Sequence, residues 1–267
     1  MKLLNLFNNI NVPSIKKSIG INSIIFPVIM LILIGLIMAN CGSKEPETFK
    51  VLVFSKTAGF RHTSIPTITN IIQELGIKNN FEVDTTENAE LFTDDNLKQY
   101  KVVVFNNTTG DIFNDSQQAV FERYIQAGNG YLGIHAATDT EYDWEWYGGL
   151  SGAYFLSHPK VQKAIVNVED RSHISTQMLP EQWECYDEWY RFQENPRDKV
   201  TVLASVDENS YEVGENAMGD HPIIWYHEYD GGRAIYTGLG HTEETCSDPL
   251  FVEHILGAIR WAVGVGE

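Results

Sequence analysis

Short apolar runs alternate with helical patterns through most of this chain. Three runs are apolar on both faces, as is typical of buried parallel strands, and they are residues 49–54, 101–105 and 130–135. Apolar residues recur at helical spacing over residues 65–75, where Gly76 is expected to end the helix, and over residues 116–127. Strands that alternate with helices of about a dozen residues form βαβ units. The pattern therefore predicts an α/β fold with a mostly parallel, helix-covered sheet.

The second half of the chain continues with strand patterns and closes on a helix. The further predicted elements are strands at residues 81–86, 163–168, 200–206, 222–227 and 233–237, and helices at residues 94–100 and 249–263. Thr93 is the expected cap of the first of these helices, and Ser247 or Asp248 that of the second. Residues 136–159 break the pattern, because they are rich in Trp, Tyr and Gly and too long for a plain connection. We expect this stretch to serve the function.

The first 40 residues have the composition of an export signal. A basic start precedes an apolar stretch at residues 21–39, and its lysines are Lys2, Lys16 and Lys17. The sequence Met-Ala-Asn-Cys then ends at Cys41 and is similar to a bacterial lipobox. Cys41 is therefore the expected site of lipidation. An uncleaved signal anchor is the alternative.

This leader divides the chain into three predicted parts. They are a signal peptide at residues 1–40, a polar tether at residues 41–48 and a domain at residues 49–267. We expect an exported lipoprotein that is anchored to the membrane on its periplasmic or cell-surface side.

The formal net charge of the chain is −17 at pH 7. An acidic surface repels nucleic acid phosphates, so we expect no DNA or RNA partner. It favours neutral or cationic ligands, and anionic ones only through a metal. Solubility is a second explanation for the same charge.

Cysteine usage is low beyond Cys41. Cys185 and Cys246 could form one disulfide in an oxidising compartment, or remain two buried thiols. Neither lies in a CxxC pair, so a thiolate zinc site is not expected. The oligomeric state stays open, a homo-oligomer included.

Polar side chains follow the predicted parallel strands, where ligands of open α/β sheets bind. By strand, they include Arg61 and His62, then Asn106, then His135 and Asp139, and finally His241 and Glu243. Three of the eight histidines thus fall on one edge of the sheet. A hydrogen-bonded core histidine is the alternative for any one of them. Their grouping predicts a cleft around His135.

The sequence Gly-Ile-His-Ala-Ala at residues 133–137 runs from a strand into small residues. Small residues allow a sharp turn that exposes the side chain at its apex, as in a nucleophile elbow. The residue at the apex is His135. A neutral imidazole can act as a base, an acid or a metal ligand, but it is a poor substitute for a serine or cysteine nucleophile.

Five segments in order resemble the ThuA-like family, which is linked to trehalose and related sugar utilisation. They are KVLVFSKTAGFRHTSI, GIHAATDT, GGLSGAYFLSHP, DEWYRF and GGRAIYTGLGH, and the resemblance spans about residues 49–264. It implies the fold of class I glutamine amidotransferases, a flavodoxin-like three-layer sandwich with helices on both faces of the sheet. Amidotransferases carry a catalytic cysteine at the elbow, so His135 rules out glutaminase chemistry by a thiolate.

The resemblance also implies roles for later residues. His241 follows a strand, like the later histidine of amidotransferases, and Glu243 stands at the spacing of their acid. Glu188 and Tyr190 lie in DEWYRF, which looks like the family's acid–tyrosine segment, with a solvated aromatic loop as the alternative. His158 either lines the cleft or fixes a turn before Pro159.

Aromatic residues in the stretch 136–159 suggest two readings. Their rings could stack on sugars, or they could belong to the core or to an interface, and they are Trp144, Trp146, Tyr147 and Tyr154.

We therefore expect an enzyme that acts on a glucoside or keto-glucoside by hydrolysis, elimination or isomerisation. His135 is the predicted acid/base, Glu188 or Glu243 the second carboxylate, and His241 and Tyr190 the orienting groups. The predicted substrate-binding residues are His62, Arg61, Asn106, Asp139, Trp144 and His158. The alternative is a non-catalytic carbohydrate-binding or scaffold lipoprotein.

No cofactor is expected from the sequence. His135, His241, Asp139 and a glutamate could supply nitrogen and oxygen ligands to a divalent metal. However, no HExxH or HxH spacing supports such a site.

Overall fold

Strands and helices alternate along residues 48–265, the part of the chain that the computed structural model describes. The strands are β1 (Lys50–Phe54), β2 (Glu82–Thr86), β3 (Val102–Asn106), β4 (Gly130–Ile134), β5 (Phe155–Ser157), β6 (Gln162–Val168), β7 (Gln182–Asp187), β8 (Arg191–Phe192), β9 (Thr201–Val206), β10 (Pro222–Tyr229) and β11 (Gly232–Thr237). The α-helices are α1 (Ile65–Asn79), α2 (Asp94–Leu97), α3 (Asp115–Gln126), α4 (Glu145–Ser151), α5 (Glu243–Cys246) and α6 (Pro249–Val263). The 3-10 turns are Ala89–Leu91, His135–Thr138 and Pro196–Asp198.

Nine of these strands form one sheet in the order β2-β1-β3-β4-β11-β10-β9-β6-β7. The first five strands in this order run parallel. The remaining pairings are antiparallel. A separate two-stranded sheet joins β5 to β8. The parallel half is the part that the apolar strand runs predicted.

Helices cover both faces of the parallel half. On one face, the Phe105 ring of β3 packs against Phe121 of α3 and against Tyr131 of β4. On the other face, α1 and α6 contact each other and the sheet. Alternate residues of a strand point to opposite faces, so both faces of β3 and β4 can be fully buried. The α/β layering that the sequence predicts is confirmed.

The antiparallel half begins at a hairpin between β10 and β11. Its two-residue turn, Asp230-Gly231, has positive φ at both residues, 47° and 91°. An Asp-Gly pair between two strand patterns favours this turn because aspartate and glycine both tolerate the left-handed region. The predicted strand at residues 222–227 therefore runs antiparallel to its neighbours, and the sheet is mixed.

Gly76 does not end α1, contrary to the sequence-based prediction. The helix continues to Asn79, and Asn80 closes it in the left-handed conformation with φ 59°. A Cβ at Gly76 would lie 2.7 Å from the Phe81 carbonyl oxygen. Gly76 is thus needed for close packing of the helix on the following chain, which sequence spacing alone does not distinguish from a cap.

The predicted signal peptide and the lipidation of Cys41 lie outside the described residues, as does all of the tether before Thr48. They stay predictions. Within residues 48–265, no helix is long and apolar enough to span a bilayer. Cys185 and Cys246 are both buried and unpaired, and burial raises the pKa of each thiol.

Replacing Phe105 with alanine tests this core. The ring is fully buried between the sheet and α3, so Phe105→Ala should lower the free energy of unfolding by about 3–5 kcal/mol. The exposed Ile77→Ala serves as the control and should change it by less than about 0.5 kcal/mol. Urea denaturation followed by circular dichroism measures both, and equal losses would contradict this packing.

Candidate functional site

His135 occupies a sharp turn directly after β4. Its φ is +48°, in the left-handed region, and it begins the 3-10 turn His135–Thr138. This conformation costs a non-glycine residue about 1–2 kcal/mol. Ala136 and Ala137, which follow, are small and fully buried. The predicted elbow is therefore present.

Two hydrogen bonds tie this turn to the end of β11. His135 Nδ1 lies 2.8 Å from the Gly238 carbonyl oxygen, and the Tyr236 hydroxyl donates to the His135 carbonyl at 2.8 Å. A carbonyl only accepts, so Nδ1 carries the hydrogen. The other ring nitrogen, Nε2, is thereby directed to the neighbouring side chains described next.

Glu188 and His241 meet His135 at this nitrogen. Glu188 Oε2 lies 3.4 Å from His135 Nε2 and 3.2 Å from His241 Nδ1. The two histidine nitrogens are themselves 3.3 Å apart. His135 is fully buried, and Glu188 is almost so. These three atoms form a nearly equilateral triangle.

Asp187 positions two members of this triangle through the backbone. Its carboxylate accepts from the amides of Gly240 and His241, at 2.9 and 3.0 Å, and from the amide of Glu188 at 2.8 Å. Burial raises the pKa of Asp187, while His135 and the amides of Gly240 and Glu188 oppose that rise. Asp187 thus joins the end of β7 to the loop after β11.

β7 is fixed to the same region by a second set of contacts. The hydroxyls of Thr242 and Thr245 donate to the Tyr186 carbonyl at 2.6 and 3.0 Å. The far strand of the sheet is therefore held beside α5, and Glu188 reaches the edge where His135 and His241 lie.

His158 approaches the other oxygen of Glu188. Its Nδ1 lies 2.9 Å from Glu188 Oε1 and 2.9 Å from the Pro159 carbonyl, and its side chain is 43% exposed. Both partners accept, so Nδ1 is the donor and Nε2 is free to exchange a proton. Tyr190 packs its buried ring 4.1 Å from His135 and 4.1 Å from Phe155, and so forms a wall of the site.

The electrostatics follow from this arrangement. Burial opposes ionisation of Glu188, but the neighbouring histidines His135, His158 and His241 outweigh it and hold the pKa of the carboxyl well below its ordinary value. The hydrogen bond to Glu188 raises the pKa of His158. Burial, with the nearby His135, lowers the pKa of His241. The carboxylate is therefore ionised at neutral pH.

His62 completes the group from the loop after β1. Its ring lies 4.9 Å from that of His135 and 5.2 Å from that of His241, centre to centre. Burial and His135 lower the pKa of His62 to about 3, so its imidazole is neutral. His62, His135, His241 and Glu188 each offer a ligand atom within 4.8 Å of the others, and such a set could hold a metal ion.

The remaining predicted site residues lie outside this group. Glu243 accepts from the Thr67 hydroxyl, and Arg61 pairs with Glu87 at 2.7 Å. Asn106 donates to the Ile65 carbonyl, so it fastens β3 to α1. These contacts give all three residues structural partners.

Two further predicted site residues, Asp139 and Trp144, lie within the stretch 136–159. Asp139 accepts from the Tyr142 hydroxyl at 2.6 Å, near the cluster but not among its ligand atoms. The Trp144 indole donates a hydrogen bond to the Glu122 carboxylate, and its ring stacks on that of Trp146. Tyr147 is fully buried. These rings belong to the core, which was the alternative reading, because the long stretch needs its own apolar interior.

Sequence reasoning missed Asp187 and Phe60. Asp187 ends β7, a strand whose alternation of buried and exposed residues in QWECYD was the available signal. Phe60 is 66% exposed, and its ring lies 4.8 Å from that of His62. An aromatic residue directly before the Arg-His pair was the only sign of it.

A surface hollow of about 650 Å³ lies elsewhere, lined by residues that include Asp170, His173 and Trp261. It opens near the start of β9 and the end of β10, at the edge opposite to His135. Parallel strands place their functional residues at the carboxyl edge, so we assign the function to the His135 cluster.

Comparison with known proteins matches this chain to a family. The profile of the family ThuA, described as trehalose utilisation, matches residues 50–262. A comparison with curated proteins returned no match.

Solved structures agree with that match. The chain is similar to a ThuA-like protein from Bacteroides uniformis, with 25% identity and a TM-score of 0.71 over 83% of this chain and 94% of that one. A ThuA-like protein from Parabacteroides merdae is 20% identical, with a TM-score of 0.67 over 82% and 91%. A β-galactosidase from Bacillus circulans shares only the fold, at 12% identity and TM-score 0.53, over 81% of this chain and 31% of that one.

The left-handed backbone conformation of His135 leads to a prediction about stability. At positive φ, glycine is favoured over alanine, which reverses their usual order. His135→Gly should therefore be more stable than His135→Ala by about 1 kcal/mol. Both variants lose the same ring contacts, so the difference reports the backbone alone. Urea denaturation measures it, and a more stable alanine variant would contradict the left-handed conformation.

Proposed function

This chain belongs to the ThuA (trehalose utilisation) family, and we propose that it is an enzyme of saccharide metabolism. The family match confirms the resemblance that the five segments predicted, together with the flavodoxin-like fold. The proposed substrate is a glucoside or a keto-glucoside. The proposed chemistry is hydrolysis, elimination or isomerisation by proton transfer at the cluster around His135.

One observation carries this proposal. The buried carboxylate of Glu188 connects the enclosed His135 with the exposed His158, at 3.4 and 2.9 Å. A histidine whose Nδ1 donates to a carboxylate has its ring fixed and its Nε2 available, which is how general acid–base groups are commonly oriented. His158 is therefore the group that can transfer a proton to or from a substrate.

The structure changes the role we give to His135. No part of its side chain is exposed, and its Nδ1 is occupied by the Gly238 carbonyl. We therefore assign His135 to organising the cluster, and His158 to the proton-transfer step at the mouth. Glu188 is a positioning residue for His158.

The mouth of the site fits a neutral, ring-shaped ligand. Phe60 exposes its ring beside His62, and Tyr142, which is 41% exposed, donates its hydroxyl to Asp139. Aromatic faces suit the C–H faces of sugar rings. The strongly acidic chain also favours neutral substrates over phosphorylated ones.

His158→Gln tests the proton-transfer role. Glutamine retains a hydrogen-bonding side chain but cannot exchange a proton at neutral pH, so kcat should fall by about 10²–10⁴-fold with little change in the thermal midpoint. Product formation is measured by mass spectrometry over a panel of glucosides, disaccharides and their keto derivatives. His173→Gln, at the opposite edge, is the matched control and should retain full turnover.

The outcome also separates catalysis from binding. Full activity in His158→Gln would exclude the proposed role. Calorimetric binding of a disaccharide, with no product from any member of the panel, would instead favour a non-catalytic carbohydrate-binding protein.

Phe60→Ala tests the proposed stacking surface. Loss of an aromatic contact worth about 0.5–1.5 kcal/mol should raise KM roughly 2- to 10-fold and leave kcat nearly unchanged. Ile77→Ala, another exposed apolar residue, is the control and should leave both constants unchanged. An unaltered KM in Phe60→Ala would remove Phe60 from the binding surface.

A further inference from the structure

We propose that His62, His135, His241 and Glu188 bind one divalent transition-metal ion of the zinc class. This inference goes beyond the saccharide proposal and does not depend on it. The residues come from four separate chain segments, after β1, β4, β7 and β11, so no short sequence motif announces them.

The spacing of the ligand atoms matches that of a metal site. His135 Nε2, His241 Nδ1 and Glu188 Oε2 are 3.2 to 3.4 Å apart. Ligand atoms of a tetrahedral zinc ion, bound at about 2.0–2.1 Å, are about 3.3–3.4 Å from one another. The three atoms therefore have the spacing of one face of such a tetrahedron, and His62 stands within 4.8 Å of all of them.

The position of the ring hydrogen of His135 also supports a bound metal ion. Because Nδ1 donates to Gly238, Nε2 is the ring nitrogen that faces Glu188 and His241, and a ring whose one hydrogen lies on Nδ1 directs a lone pair towards them. Lone pairs of a buried nitrogen and a carboxylate oxygen repel each other at this distance unless a cation lies between them. A bound metal ion satisfies all three groups at once. A doubly protonated His135 paired with Glu188 is the alternative that the experiment must exclude.

The surroundings match those of metal-binding histidines. Such a histidine commonly donates its second ring nitrogen to a backbone carbonyl, as His135 does to Gly238. His158 bonds to the oxygen of Glu188 that faces away from the other ligands, and so orients the carboxylate. His62 also has a buried Nδ1 with no hydrogen-bond partner among the described residues.

The donor set indicates which ions fit. Three imidazoles and one carboxylate suit zinc, cobalt, nickel or copper, whereas magnesium and calcium prefer oxygen ligands. With four protein ligands the site has the composition of a closed zinc centre, and the ion would join the chain segments after β1, β4, β7 and β11.

Metal loading of the purified full-length chain tests the site. The protein is stripped with a chelator, loaded with Zn²⁺ or Co²⁺ and dialysed. We expect about one equivalent per chain by elemental analysis, a visible Co²⁺ spectrum typical of four-coordination, and a higher thermal midpoint in the loaded form. Glu188→Gln and His241→Asn should each weaken binding at least about 100-fold.

Controls make each outcome decisive. His173→Gln, a half-buried histidine away from the site, should bind like the wild type. Circular dichroism checks that Glu188→Gln folds, and His241→Asn, at a partly exposed position, is the second variant if it does not. Less than about a tenth of an equivalent in the wild type would overturn the proposal, and so would unchanged binding in both ligand variants.

The same samples distinguish this inference from the proposed function. One bound metal in a protein that converts no saccharide would support the metal site and reject the enzyme proposal. Turnover by a protein that binds no metal would do the reverse.

Discussion

The hydrogen bond from His135 Nδ1 to the Gly238 carbonyl joins the ends of β4 and β11, and the site depends on it. It determines which ring nitrogen carries the hydrogen, and it holds the ring while the backbone stays at φ +48°. Residues that hold a left-handed backbone outside glycine commonly mark functional positions. Without this bond the ring could rotate, and Nε2 would have no fixed direction towards Glu188 and His241.

A second constraint is the carboxylate of Asp187, which places the other half of the site. By accepting from the amides of Gly240 and His241, it aligns the loop after β11 with the end of β7. Class I glutamine amidotransferases, whose fold this chain resembles, carry a cysteine nucleophile at the elbow. Here the elbow carries an imidazole, so this position offers no thiolate nucleophile.

The local signals were sufficient for the parallel half of the fold. Runs such as residues 102–105 are apolar on both faces, and α6 begins at Pro249 after its cap Asp248, as expected. The three histidines that follow predicted strands, His62, His135 and His241, likewise indicated the position of the site. Glu188 was available only through the family resemblance, because β7 lies at the far edge of the sheet. Asp187 and the exposure of Phe60 depend on long-range contacts, which spacing along the chain does not encode.

The state of the His135 ring is the most direct test of this account. Nitrogen-15 NMR of histidine-labelled protein, with the His135 signals assigned by their loss in His135→Gly, reports the protonation of each ring nitrogen. The account predicts a protonated Nδ1, with or without metal, and an unprotonated Nε2 that shifts when zinc binds. An unprotonated Nδ1 would contradict it, because the bond to Gly238 could not then exist.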